Sequence, residues 1–176
     1  YLFFLFLIML AGGCKKTEVK PLKTGAAMVD ITPPAGFPMY RGSSTGITDP
    51  LYARALVLRQ GETRGAILVC DLIGIPRDIG RIARERAAKK TGIPFQNITV
   101  TATHTHTGPS VKSEITGYAE RESAGKLTGD DSTGYITFLI NGMIEAIVVA
   151  DSRTEVVEMT SGRGYLPGIS FNRRFL

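Results

Sequence analysis

A chain of 176 residues with 43% hydrophobic content is long enough to bury one sizeable core and suits roughly one domain. Its net charge of +5 comes from scattered Lys and Arg with no interleaved aromatic stripe, which argues against a nucleic-acid-binding face and leaves attraction to an anionic membrane surface open. Its two cysteines, Cys14 and Cys70, could pair in principle, but the setting of Cys14 points to another role.

Tyr1 to Leu10 is a short apolar run, followed by Ala11-Gly12-Gly13-Cys14. An apolar stretch and then small residues reads as a signal-peptide core and cleavage site. It is too short to span a bilayer as a helix; the competing reading is a buried apolar strand. Small residues directly before a cysteine resemble the bacterial lipobox, in which the cysteine is acylated and becomes the new N-terminus. That assigns residues 1–13 to a truncated lipoprotein signal peptide and Cys14 to lipidation. Residues 14–24 become a Lys-rich tether, and the protein is expected at the bacterial cell envelope, membrane-anchored on the periplasmic or surface side. Cys70 is then a free, buried thiol. Both ends read as cut, so the chain is expected to be a piece of a longer protein.

The folded part, residues 25–176, opens with Met28, Val29 and Ile31, which favour a strand, and Pro33-Pro34 ends it. Gly- and Pro-rich loops follow to Pro50. Leu51 to Leu58 reads as a strand and Gly61 to Gly65 as a hairpin turn. Ala66 to Cys70 is an unbroken apolar run, as expected of a strand buried on both faces. Asp71 stands at its C-terminal end, where α/β folds place functional groups; a turn or helix-cap role is an equal alternative. Pro76 to Thr91 has helical spacing and is stopped by Gly92 and Pro94. Ile98 to Ala102 is the next strand, so strand, helix and strand suggest a parallel βαβ crossover.

That strand runs into Thr103-His104-Thr105-His106-Thr107-Gly108-Pro109, which contains both histidines of the chain. On extended backbone, His104 and His106 share a face. Two converging imidazoles can begin a metal site; the alternative is a structural pair that caps a turn. Residues 112–131 read as a long polar loop or a loop with a short helix. Tyr135 to Ala150 is a broadly apolar, buried helix in which Gly142 suggests close packing. Glu155 to Met159 is a last strand. There is no internal repeat, phosphate-binding Gly loop, Gly-x-Ser-x-Gly elbow or Cys-x-x-Cys pair. The fold expected is layered α/β: a mixed β-sheet with flanking helices, the incomplete N-terminal part of a larger catalytic domain.

Several stretches resemble, in order, the N-terminal catalytic region of the neutral/alkaline non-lysosomal ceramidases and their bacterial relatives. They are Asp30-Ile31-Thr32-Pro33-Pro34, the Gly46 to Leu51 turn leading into Tyr52-Ala53-Arg54-Ala55, Asp71-Leu72, and above all Ala102 to Pro109. The likeness extends from about Gly25 to Arg174. It implies a zinc amidase that cleaves a lipid amide (N-acylsphingosine) to a fatty acid and an amine. By the same resemblance His104 is the zinc ligand and His106 sits beside the metal as a catalytic group. Asn172 and Arg173 line the site and bind substrate, with Arg173 placed to meet the substrate's polar head or the developing oxyanion. Asp71 is a candidate acceptor for the second nitrogen of His104. The remaining ligands, a histidine, a Glu and a Tyr, and an active-site serine would lie downstream, so these 176 residues alone are expected to be inactive. Ceramidases carry Asn-Arg-Ser-Pro where this chain has Asn172-Arg173-Arg174-Phe175, a departure that bears on substrate rather than on zinc. Two other classes are compatible with the residues: another metal-dependent hydrolase using His-x-His at a strand end, and a non-catalytic surface lipoprotein that binds lipid or glycan.

Overall fold

The computed structural model describes residues 19–39, 42–109, 111 and 131–168. Its elements are β1 (Leu22–Asp30), β2 (Tyr52–Gln60), β3 (Thr63–Cys70), α1 (Arg77–Thr91), a 3-10 turn (Phe95–Asn97), β4 (Ile98–Ala102), α2 (Asp131–Ser152) and β5 (Glu155–Val156). They build a five-stranded sheet in the order β4-β3-β2-β1-β5. β3 and β4 run parallel, and the other neighbours are antiparallel. The expected βαβ crossover is therefore present, within a mixed sheet.

Local chemistry sets the boundaries. β2 turns into β3 through Gly61-Glu62, with Gly61 at φ 57° and Gln60 opposite Thr63. A two-residue hairpin needs positive φ, which glycine supplies freely. β3 therefore begins three residues before the apolar run. α1 closes on Gly92, whose left-handed backbone lets its N–H donate to the Ala88 carbonyl. β1 is longer than the apolar residues indicate: Leu22 to Thr24, assigned to the tether, pair with Leu58 to Gln60. The last strand contracts from Glu155–Met159 to Glu155–Val156.

One face of the sheet carries the core. Ala53, Ala55 and Val57 of β2 and Ala66, Leu68 and Cys70 of β3 are buried there. Both helices cover this face: α1 with Ile79, Ile82, Ala83 and Ala87, α2 with Leu139, Ile140, Met143 and Ile147. α2 approaches β1 closely. A Cβ on Gly25 would lie 2.0 Å from the Ala150 carbonyl oxygen, and one on Gly142 would lie 2.9 Å from Ile31. Tyr135 donates its hydroxyl to the Ile31 carbonyl at 2.8 Å, and its ring packs 4.6 Å from Phe37. From Gly134 to Ser152 α2 is long and apolar enough to cross a membrane, yet more than half of that stretch is buried inside the fold.

The opposite face corrects the reading of Ala66–Cys70 as buried on both sides. Ile67 is 42% exposed, Leu56 39% and Met28 57%. Among the described residues, no second layer lies over this side. The continuous apolar run reports two hydrophobic faces, of which one is covered.

Candidate functional site at the ends of the parallel strands

The parallel pair ends at Cys70 opposite Ala102. One further bond, Thr103 N–H to the Cys70 carbonyl at 3.0 Å, ties the chains just beyond it. The two connections that leave this edge, residues 71–76 and 103–109, lie side by side. Gly108 is buried between them: a Cβ there would stand 3.2 Å from the Asp71 carbonyl and 3.2 Å from the Thr105 methyl. Pro109 is bridged to Met39, which fixes the far end of the histidine loop.

His104 sits at φ 62°, and among the described residues it alone of the non-glycines has positive φ. Such a backbone costs a side-chain-bearing residue on the order of 1 kcal/mol or more. The extended alternation therefore stops short of His104. The two rings are nevertheless neighbours, with centroids 5.0 Å apart and edge to face at 80°. Nδ1 of His104 lies 2.7 Å from the Ile73 carbonyl oxygen. A carbonyl only accepts, so in the neutral ring Nδ1 carries the proton and Nε2 keeps its lone pair. A backbone carbonyl on one nitrogen with the other left as a donor is the usual arrangement of a metal-binding imidazole.

Asp71 does not fill the role expected of it. Its Oδ2 accepts from the Tyr52 N–H at 3.0 Å and from Arg54 at 2.5 Å, while Arg54 lies over the Tyr52 ring. The register of β2 and β3, with Ala53 opposite Cys70, carries Asp71 to β2 and away from His104. The acceptor on His104 is the Ile73 carbonyl. Asp71 is not the cap of α1 either, since Pro76 stands at that position without a side-chain bond.

One hollow adjoins the loop, and a second adjoins the first. Thr107 lines a cleft of about 270 Å³ with Thr32, Pro33, Ile47 and Leu51. Thr32, Pro33 and Ile47 also line a wider groove of about 800 Å³, where Val29, Tyr135 and Phe138 make the wall apolar. Burial, and then the charge of Asp71, pushes the Cys70 thiol up to about 12. It stays neutral and is neither a ligand nor a nucleophile at ordinary pH.

Residues 23–175 match the family described as neutral/alkaline non-lysosomal ceramidase, N-terminal. The chain belongs to this family. A curated relative, the neutral ceramidase of Mycobacterium tuberculosis, is 27% identical over 164 residues, covering 86% of this chain and 25% of that protein. Two solved structures share the fold at a TM-score of 0.58 and 23% identity: the neutral ceramidase of Pseudomonas aeruginosa, and a ceramidase complexed with C2. Each alignment covers 78% of this chain and 22% of the solved one. The ceramidase-family chain thus spans about a quarter of the length of the relatives it matches.

Of the residues singled out from sequence, the fold brings His104 and His106 together and sets Asp71 close by in another role. Cys14, Asn172 and Arg173 lie outside the described residues. For zinc, the donors present fit part of a catalytic site, which takes three protein ligands and keeps one position open. Nε2 of His104 is available and the His106 ring is beside it, but the described residues include no group of three candidate ligands. Sequence reasoning missed Ile73, whose contribution is a backbone carbonyl without a side-chain signature. It also missed Arg54 and Tyr52 as the holders of Asp71; an arginine alternating into a strand of small and apolar residues was the available signal.

Proposed function

We propose that the protein to which this ceramidase-family chain belongs is a zinc-dependent amide hydrolase acting on lipid amides of the ceramide type, held at the bacterial envelope through acylated Cys14. The observation that supports it is the locked imidazole: His104 gives Nδ1–H to the Ile73 carbonyl at 2.7 Å and turns a lone pair outward next to His106.

In this reading His104 holds zinc through Nε2, together with ligands from residues outside this chain. Bound zinc supplies Lewis acidity toward an amide carbonyl and activates water. Ile73 fixes the tautomer of His104. His106 holds or moves a proton at the amide nitrogen, or donates to the developing oxyanion. Arg173 orients the polar head of the substrate, with Asn172 beside it. The cleft at Thr107 admits the amide, and the apolar groove past Pro33 accommodates hydrocarbon. These 176 residues alone, whose described part holds no full ligand set, are expected to be inactive.

The test uses the full-length protein. His104→Ala should remove bound zinc, measured by elemental mass spectrometry on purified protein; undiminished zinc would refute the assignment. His106→Ala should keep zinc and lower amide turnover by about 10²- to 10⁴-fold. Assaying ceramide beside shorter N-acyl amides then separates a ceramidase from an amidase of other substrates.

A further inference from the structure

The far end of the sheet, opposite the histidine loop, concentrates positive charge. Lys23, Arg59 and Arg64 are directly opposed on three adjacent strands. Like charges in register repel and weaken a sheet. Here only Arg59 is neutralised, by Asp151 at the end of α2. Lys20 joins the row, its carbonyl accepting from Gln60 at 3.1 Å and its side chain 3.6 Å from where a Cβ on Gly61 would be. α1 ends here too: Gly92 lies against the Arg64 guanidinium, and Lys89 and Lys90 occupy the last turn. Among the described residues, Lys20, Lys23, Arg64, Lys89 and Lys90 form no ion pair. Glu62, Glu155 and Glu158, which follows the Val157 N–H bonded to the Leu22 carbonyl, are other acids near this end. Lys20, Lys23, Arg59 and Arg64 line a hollow of about 290 Å³ with Pro21 and Gly61. Among the described residues, the histidine end carries Asp30, Asp49, Asp71 and Asp78 with Arg54 and Arg77.

We infer that this basic end is a docking surface for an anionic phospholipid membrane, with the hollow receiving headgroup phosphate. Unpaired cations in register cost stability that the fold has no internal use for, and an anion placed among them removes the repulsion. The surface also lies where the chain enters β1. Lys20 is six residues after Cys14, within about 20 Å of it at full extension. Lysines at such a surface draw it to acidic lipid through charge, in a salt-sensitive way. β3 runs from this end to the histidine end over 8 residues, about 25 Å, so a molecule docked in this way holds its histidine loop off the bilayer.

The experiment uses full-length protein with Cys14→Ser, so that acylation plays no part, and vesicles of phosphatidylcholine with or without phosphatidylglycerol. At low ionic strength, binding to the anionic vesicles should exceed binding to neutral ones about tenfold or more, and added salt should abolish it. Lys20→Glu with Lys23→Glu should cut that binding about tenfold or more, with zinc content unchanged and a thermal midpoint no lower than wild type, since the Lys23–Arg59 repulsion is removed. Arg77→Glu with Arg81→Glu makes the same change in net charge at the other end of α1 and should leave binding within about twofold. Equal binding to both kinds of vesicle overturns the inference. So does an equal loss from both pairs of reversals, which would reduce the effect to net charge. Displacement by millimolar inorganic phosphate would also overturn it, in favour of a small-anion site.

Discussion

The helix-covered face of the sheet and the histidine loop are held in different ways. On the covered face, residues are selected by size: Gly25 and Gly142 let α2 lie on β1, and alanines, Leu68 and Val57 fill the space between. In the loop only Gly108 and Pro109 are buried. Its shape depends on a few directed contacts: Thr103 to Cys70, His104 to Ile73, Gly108 against Asp71 and Pro109 against Met39. The difference teaches where each kind of damage should appear. Changes on the covered face should alter stability with the site chemistry intact, whereas, on the proposed function, changes at the loop should alter metal binding and turnover with stability nearly intact.

The largest expected effect tests the covered face at its tightest point. Gly25→Ala puts a methyl group 2.0 Å from the Ala150 carbonyl, backbone against backbone, and neither element can yield without repacking. It should cost more than about 4 kcal/mol or abolish soluble expression of the full-length protein. Denaturation within about 1 kcal/mol of wild type would show that α2 does not lie on β1 as described. Next comes the pair Leu68→Ala and Ile67→Ala, adjacent residues of β3 on opposite faces. Leu68 is fully buried and should cost about 2–5 kcal/mol. Ile67 should cost distinctly less if its face is open in the whole protein; equal losses in urea titrations would mean that another part of the protein covers it.

The most gradual effect is a pH dependence. The Cys70 thiol is raised from 9.0 to about 12, by burial first and the Asp71 charge second. Above pH 9 the unfolded chain loses this proton while the folded chain keeps it. The stability tied to the neutral thiol is therefore full below pH 9 and lost between pH 9 and about 12. The slope is at most about 1.4 kcal/mol per pH unit. Cys70→Val should flatten that part of the profile, in chemical denaturation followed across alkaline pH, and an unchanged slope would count against the thiol. Tyr135, whose hydroxyl is likewise pushed up by burial, then by Cys70 and Asp30, adds to the decline in the same direction.

Much of the frame was legible in the sequence because it rests on local rules. Gly92 stops α1, Gly61 makes the hairpin, and a helix between two apolar strands implies the parallel pair. The pairing of His104 with His106 was also legible, though for a partly mistaken reason: extended alternation fails at His104, and a left-handed residue sets the direction. What stayed hidden was anything decided by a partner far along the chain. Asp71 is bound by Arg54, 17 residues away, and only the strand register places the two together. The Ile73 carbonyl has no residue type to announce it. The Ala66–Cys70 run shows how apolar both faces are, but counting apolar residues does not reveal which layers exist.

α2 has a consequence for how the protein is made. If the parent is exported unfolded, as a lipoprotein would be, the segment from Gly134 to Ser152 passes through a translocation channel before it has a core to join. There it meets the same length and hydropathy test as a membrane anchor. Asn141, Gly142 and Glu145 stand near its midpoint, where polar groups weigh most heavily against lateral insertion. Asn141 and Glu145 are solvent-facing in the fold and contribute little to its core. On that route they would weigh against leaving a core helix behind in the bilayer.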